Sequence, residues 1–248
     1  MEITSVSNEL VKQVAKLQQR KFRDENSEFI LEGYKAVEEW HKLGYKFEHI
    51  FVLSEKAEKY RFLNQDLILT NSAVLKKISS TVTEPEVVGV AKKIKFDDKI
   101  LKNAQKVVLL EGIKDAGNLG TIMRSAVAFG VDALILYGDC TDIYNPKCIR
   151  SAAGNFGKIS VFEMNSIAEL DKYFNSYERV ATLPRSSNLL KSFSPKKPVL
   201  IMFGSEADGL TKNLTDYSTN SVKIEMSDNV ESLNLSISCS IILYKFSF

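Results

Sequence analysis

The sequence predicts an α/β protein of two domains, a small N-terminal α/β domain followed by a larger α/β domain built on a parallel sheet. Three observations predict it. Short apolar runs alternate with helix-period stretches along nearly all of the 248 residues. In the second half, runs such as KVVLLEGI (106–113), DALILY (132–137) and PVLIMFG (198–204) are apolar throughout, as strands buried on both faces are. Between the halves lies a polar, charged stretch of weak periodicity, KIKFDDKILKNAQK (93–106). The domains are therefore expected at 1–95 and 106–248, joined by a linker at 96–105.

The elements follow in order. Leu10, Val14 and Leu17 recur at i, i+4 and i+7 and predict a helix over 11–23, with Lys12, Lys16, Arg20 and Arg23 lining another face and no acid from 10 to 23. FILEG (29–33) reads as a strand, followed by a helix through Trp40 closed near Gly44. EHIFVL (48–53), a helix near 55–63, DLILT (66–70), a helix from Asn71 or Ser72, and EVVGVAKK (86–93) complete the first domain. In the second, KVVLLEGI leads through DAGNLG into a helix that ends at Gly130. DALILY, a helix from Pro146 to Ala153, KISVFEM (158–164), a helix near 167–176, RVATL (179–183), PVLIMFG, SVKIEM (221–226) and a last helix from about Ser232 follow.

Composition limits the function classes. Thirty-three Lys and Arg against thirty-one Asp and Glu leave a formal charge of +2, so a nucleic-acid partner has to be held by a local basic patch. No apolar run approaches the roughly 20 residues of a spanning helix, and the start lacks the layout of a secretory signal, so a cytoplasmic protein is expected. Cys140, Cys148 and Cys239 fit no zinc spacing and stand far from the only histidines, His41 and His49. No metal site is expected, and the thiols read as buried or idle.

Chemistry in an open α/β sheet gathers at the carboxyl ends of strands, and three such turns stand out. The first, 111–120, places Gly112 and Gly117 at phosphate-loop spacing, but Asn118-Leu119 stands where Lys-Ser/Thr is required, and the order of a dinucleotide fingerprint is also missing. As a plain turn, DAGNLG caps a helix. Against that stands Arg124, a cation near the positive end of the helix dipole, where it is unfavourable unless an anion offsets it. The second turn, FGSEADGL (203–210), ends the most apolar strand, and Gly204 and Gly209 permit close backbone approach to a ligand. In the third, IEMSDNVESLN (224–234), Ser232 or Asn229 is a possible helix cap, and Ser232 and Asn234 are alternatively side chains of a shared cleft.

Taken together, DAGNLGTIMRSAVAFGV (115–131), FGSEADGL (203–210) and IEMSDNVESLN (224–234) resemble, in order and spacing, the three motifs of the SpoU-type (TrmH-like) RNA 2′-O-ribose methyltransferases of the SPOUT class. RSAAG (150–154) is similar to the family's Arg-x-Ser-Ala-Gly stretch, and the likeness covers 106–248. KLQQRKFR (16–23) followed by FILEG resembles the small substrate-binding domain related to ribosomal protein L30e. Ala116 and Glu225 depart from the pattern, standing where the family usually has proline.

The resemblance implies a parallel sheet threaded into a trefoil knot, S-adenosylmethionine (AdoMet) held in the knotted loops, and a homodimer that completes the site. It implies Arg124, Asn118, Glu206, Ser232 and Asn234 as the polar catalytic set, and Thr182, Leu183, Gly204, Ile224, Met226 and Leu233 as the cofactor cradle. Histidine is absent after residue 49, so no imidazole base serves a second-domain site. Arg124 takes that place by family likeness, and a guanidinium suits orientation and charge stabilisation better than proton removal. For RNA, Lys12, Lys16, Arg20, Arg23 and Arg150 are the candidates, with Lys21 beside them and a plain solvated helix face as the other reading; Tyr34, Trp40 and Tyr45 could stack on bases, but core or half-buried packing is the favoured reading of each. The expected activity is AdoMet-dependent methyl transfer to a ribose 2′-hydroxyl of structured RNA, rRNA before tRNA. An RNA- or ribosome-binding protein that has lost turnover, and a generic nucleotide-binding enzyme, are the other readings.

Overall fold

The computed structural model describes residues 1–248 apart from 82, 228, 231 and 248. It separates into two compact units: Met1–Lys95 with Asp142–Gly157, and Phe96–Thr141 with Lys158–Phe248. In chain order the elements are β1 (Glu2–Ile3), α1 (Glu9–Lys16), α2 (Arg20–Asn26), β2 (Glu28–Glu32), α3 (Tyr34–Lys42), β3 (His49–Leu53), β4 (Ile68–Thr70), α4 (Ser72–Ile78), β5 (Val87–Lys92) and α5 (Lys99–Asn103). They continue as β6 (Lys106–Glu111), α6 (Ala116–Ala128), β7 (Ala133–Tyr137), α7 (Pro146–Ser151), β8 (Ser160–Met164) and α8 (Ile167–Phe174). The chain ends through β9 (Glu178–Thr182), β10 (Val199–Phe203), α9 (Lys212–Tyr217), β11 (Asn220–Val222) and α10 (Leu235–Lys245). Among the described residues no helix is long and apolar enough to cross a membrane.

The first unit is a mixed sheet in the order β1-β4-β3-β5-β2, with β5 antiparallel to both neighbours. Alternation along β2 sends Ile30 to a core shared with Val11, Val14, Leu75 and Ile78 of α1 and α4. Phe29 faces the other way and meets Trp40 at 5.2 Å, Tyr144 at 4.8 Å and Phe156 at 5.5 Å, edge-on or tilted as aromatic quadrupoles prefer. Two of those rings come from 142–157, which explains why that segment belongs here. Sequence reading places it in the second domain, because the aromatic partners it needs lie more than a hundred residues upstream.

The expected helix over 11–23 is two helices, α1 and α2, and the reason is Arg23. That side chain is 2% exposed. It donates from Nη1 to the carbonyls of Leu17 and Gln18 at 2.8 and 2.9 Å, just past the end of α1, and pairs with the buried Asp142 at 2.7 Å. Arg23 is therefore a core ion and is corrected out of the basic face. The segment expected as a helix near 55–63 is a 3₁₀ helix, Ser54–Leu63.

The second unit is a six-stranded parallel sheet, β11-β9-β10-β6-β7-β8. Every pairing is parallel, and one face carries a core of Val107, Leu109, Ala133, Ile135, Leu200 and Met202 covered from α5, α8 and α9. The alternate residues Val108, Leu110, Leu134 and Ile201 are equally buried, which leaves α6 and α10 to cover the opposite face. Residues 96–105 are part of this unit, because Leu101 and Ala104 bury into its core. Burial also pushes the thiols of Cys140, Cys148 and Cys239 up, away from the thiolate range.

Arg23→Ala is expected to strand the Asp142 carboxylate and cost about 3–5 kcal/mol of stability. Denaturant titration checks this, with Arg20→Ala, an exposed neighbour, leaving the midpoint unchanged.

Candidate active site

Strands of a parallel sheet end on one edge, so Glu111, Thr182, Phe203 and Val222 close β6, β9, β10 and β11 side by side. β6 and β10 are adjacent, with Phe203 in register with Leu110. From β6 the chain moves outward to β7 and β8, whereas β9 and β11 lie beyond β10. A crevice opens where the strand order diverges in this way. It holds a cleft of about 900 Å³ lined by Glu111, Lys114, Asn118, Tyr137, Glu206 and Asn234 among others.

Capping chemistry sets the orientation of the polar groups. Asp115 caps α6 by accepting the Asn118 N–H at 2.8 Å, which places Asn118 in the first turn. Asn234 caps α10: its Oδ1 accepts from the N–H and Oγ of Ser236 at 2.9 and 2.6 Å and from the Ile237 N–H at 3.4 Å. With its oxygen committed, the Asn234 amide presents Nδ2 outward and donates to Asn118 Oδ1 at 3.1 Å. Asn118 then presents its own Nδ2 to Glu206 Oε1 at 3.0 Å. Three segments distant in sequence are joined through one side chain, and the direction of donation runs from the cap of α10 to a carboxylate.

The turn that carries Glu206 is closed on itself. Ser205 and Gly209 exchange N–H···O bonds of 3.1 Å each, and the Asp208 N–H donates to Ser205 Oγ at 3.0 Å. A Cβ on Gly204 would lie 1.9 Å from the Gly209 carbonyl carbon, so only glycine fits there. Gly209 has φ +69°, a left-handed backbone suited to glycine.

Of the expected cofactor residues, Thr182 ends β9, Leu183 and Gly204 directly follow β9 and β10, and Ile224 and Met226 come shortly after β11; none of them, nor Leu233, lines the cleft. Thr182 Oγ1 donates to Met202 O at 2.9 Å, and the Leu183 N–H donates to Val222 O at 3.0 Å, so their strand ends are held together. Leu183, Ile224 and Leu233 are half-buried, and Met226 and Val230 expose 37% and 48% of their surface. Among the described residues, the backbone groups of Ile224, Met226 and Leu233 take no hydrogen bond. Apolar side chains and backbone groups at these positions are of the chemistry that an adenosyl ring and its polar edge need.

Arg124 and Ser232 do not line the cleft. Asn118 and Ser125 share a face of α6, and Ser125 Oγ meets Ser240 Oγ of α10 at 2.7 Å. Arg124 lies about 100° further round the helix, exposed, with no hydrogen-bond or ion-pair partner among the described residues. Ser232 is exposed too, and the cap of the last helix is Asn234, not Ser232 or Asn229. Sequence reasoning missed Glu111, an acid ending a buried strand, together with its partner Thr211; an ionisable residue at such a position was the available signal.

On the first unit, Lys12, Lys16, Arg20 and Lys21 are on the surface. Lys12 pairs with Glu9 at 2.8 Å, Arg20 with Asp24 at 3.7 Å and Lys21 with Glu25 at 3.8 Å, and Lys16 lies 5.4 Å from the Phe22 ring. Arg150 donates to Ser80 Oγ at 2.6 Å and pairs with the buried Glu32 at 3.4 Å, so its guanidinium is largely committed. Tyr34 is exposed, Tyr45 half-buried and Trp40 buried beneath Tyr45. Among the described residues no group of three metal-ligating side chains occurs.

Residues 105–244 match the SpoU rRNA Methylase family. The chain belongs to that family. Residues 8–89 of this SpoU methylase match the MRM3-like substrate binding domain. The SpoU methylase is 33% identical to an uncharacterized tRNA/rRNA methyltransferase of Synechocystis sp., over 98% of this chain and 92% of the relative. It is 26% identical to the 23S rRNA (guanosine(2553)-2′-O)-methyltransferase of Bacillus subtilis, over 98% of both. The AdoMet-bound rRNA methyltransferase of Sinorhizobium meliloti superposes with a TM-score of 0.88 at 28% identity, covering 99% of this chain and 96% of that one. The SPOUT-type α/β fold expected from the sequence is thereby established, and AdoMet is the methyl donor of this SpoU methylase.

Gly204→Ala is expected to cost about 1–3 kcal/mol by overpacking the turn and to weaken AdoMet binding. Thermal unfolding and calorimetric titration check it; an alanine variant that binds AdoMet like the wild type would show that the close approach is dispensable.

Proposed function

We propose that this SpoU methylase transfers the AdoMet methyl group to a ribose 2′-hydroxyl of rRNA, with 23S-type rRNA favoured over tRNA. The observation that carries the reading is the Asn234–Asn118–Glu206 chain, which fixes three strand-end turns around one cleft. The likeness to a guanosine 2′-O-methyltransferase of 23S rRNA and the substrate-binding match over 8–89 support the substrate class. AdoMet, when bound, supplies an electrophilic sulfonium methyl. The chain's own residues do the rest. Asn118 and Glu206 orient the acceptor ribose, Asn234 locks Asn118, and Ser232 faces the cleft when substrate is present. Backbone groups of Thr182, Leu183, Gly204, Ile224, Met226 and Leu233 hold the cofactor.

Arg124 stabilises the developing alkoxide as the hydroxyl attacks in line. Within one chain it stands outside the cleft, and we place it at the seam of a homodimer. Ile237, Ile241 and Tyr244, at i, i+4 and i+7 on α10, expose 51%, 37% and 60% of their surface. α10 packs on α6, which carries Arg124, so a second copy covering this stripe brings the guanidinium into a closed site. The segments that follow β9 and β11 are where the trefoil knot of the SPOUT class belongs; the parallel bridge between Leu189 and Lys223, which joins those two segments, supports that threading. Residues 1–95 recruit RNA through Lys12, Lys16 and Arg20, with Arg150 as an auxiliary contact, and the protein acts where ribosomes are made, in the cytoplasm.

Incubation with AdoMet and unmodified total RNA is expected to yield alkali-resistant ribose methylation in rRNA. Arg124→Ala is expected to lower turnover by about 10²–10³ while leaving RNA affinity intact, as gel shift shows. Methylation confined to tRNA, or full activity of Arg124→Ala, would contradict the reading. Replacing Lys12, Lys16 and Arg20 together by alanine is expected to weaken RNA binding and flatten its salt dependence by up to about three charges, checked by titration across a salt series.

A further inference from the structure

We propose that Glu111 is a positioning residue of the methyl-transfer site, holding the Glu206 turn in register with Asn118. The inference rests on the reading above, in which Glu206 and Asn118 orient the acceptor ribose. Glu111 ends β6 and is only 8% exposed, yet no cation pairs with it among the described residues. Its two oxygens accept instead from one residue: Oε2 from the Thr211 N–H at 2.7 Å and Oε1 from Thr211 Oγ1 at 2.7 Å. A buried carboxylate costs more than a neutral group would, so a fold that needed only a cap for α9 has cheaper choices.

Position explains the choice. The turn that carries Glu206 springs from β10 at Gly204 and returns at Thr211. Its first foot is fixed by the pairing of Phe203 with Leu110, and its second by Thr211 on Glu111. Both feet therefore rest on consecutive residues of one central, fully buried strand. The same strand leads directly into the 112–118 segment that delivers Asn118. Glu111 thus references both partners of the Asn118–Glu206 hydrogen bond to a single rigid element, which is what a positioning group must do. Glu111 and Tyr137 of the neighbouring strand both line the cleft, and burial and then the Glu111 charge push the Tyr137 hydroxyl up from its ordinary pKa.

The full-length protein, with AdoMet and rRNA, tests it through Glu111→Gln, Thr211→Val, Thr211→Ser, Glu206→Gln and the double variant Glu111→Gln/Glu206→Gln. Glu111→Gln is expected to lower kcat by about tenfold or more with KM for RNA unchanged. Amide exchange at 205–211 should speed up while exchange in β6 and β7 stays slow. Thr211→Val should lose activity in the same way, and Thr211→Ser, which keeps both donors, should recover most of it. The double variant should be no slower than Glu206→Gln alone, because both changes break one arrangement. Wild-type-like exchange at 205–211 in Glu111→Gln, multiplying losses in the double variant, or Thr211→Ser as poor as Thr211→Val would each overturn the proposal. A wild-type protein that binds RNA but never methylates it would defeat the functional reading instead, and the exchange measurement would still decide whether Glu111 holds the turn.

Discussion

The site depends on a single amide. Asn118 accepts from Asn234 and donates to Glu206, so its two ends tie a helix cap to a strand-end turn. An amide can do this because it offers an acceptor and a donor about 2 Å apart on one rigid group. Its orientation is not adjustable locally: the oxygen of Asn234 is consumed by the cap of α10, which dictates which atom faces Asn118, which in turn dictates which atom faces Glu206. The chain of constraint begins with helix capping and ends at a carboxylate oriented in a cleft.

The sheet supplies the frame for that amide. Parallel strands buried on both faces present their carboxyl ends together, and the neighbouring strands β6 and β10 leave the crevice where the order diverges. The tight Ser205–Gly209 turn fits there only because Gly204 lacks a Cβ. Burial is put to different uses at Arg23 and Glu111. Arg23 satisfies the end of one helix and an acid in the core of the first unit, a structural task. Glu111 spends its two oxygens at the rim of the cleft, where the geometry of a functional turn is at stake.

Much of this was legible in the sequence, for reasons that can be named. Continuous apolar runs announced the strands of the second sheet, and the carboxyl ends of those strands pointed to the three turns that carry the family motifs. Asn118, Glu206 and Asn234 were readable through the likeness of those turns to the family motifs, which periodicity alone does not supply. Arg23 misled, since a helical wheel over 11–23 cannot show that the helix breaks at Leu17 or that Asp142 waits 119 residues downstream. The placement of 142–157 was hidden likewise, being set by packing on Phe29. Arg124 shows a different limit: the sequence places it on the first turns of the helix that follows DAGNLG but does not say which way it points, and in this chain it is exposed and outside the cleft lining.

Replacing Asn118 by leucine, similar in volume but unable to bridge, measures the account most directly. Digested rRNA from reactions with AdoMet is analysed by mass spectrometry for 2′-O-methylated nucleosides, alongside circular dichroism and RNA affinity. The account predicts a folded protein that binds RNA and forms about a hundredfold less methylated product, in line with the loss of an oriented polar group at a reacting centre. Undiminished methylation by the leucine variant would contradict it.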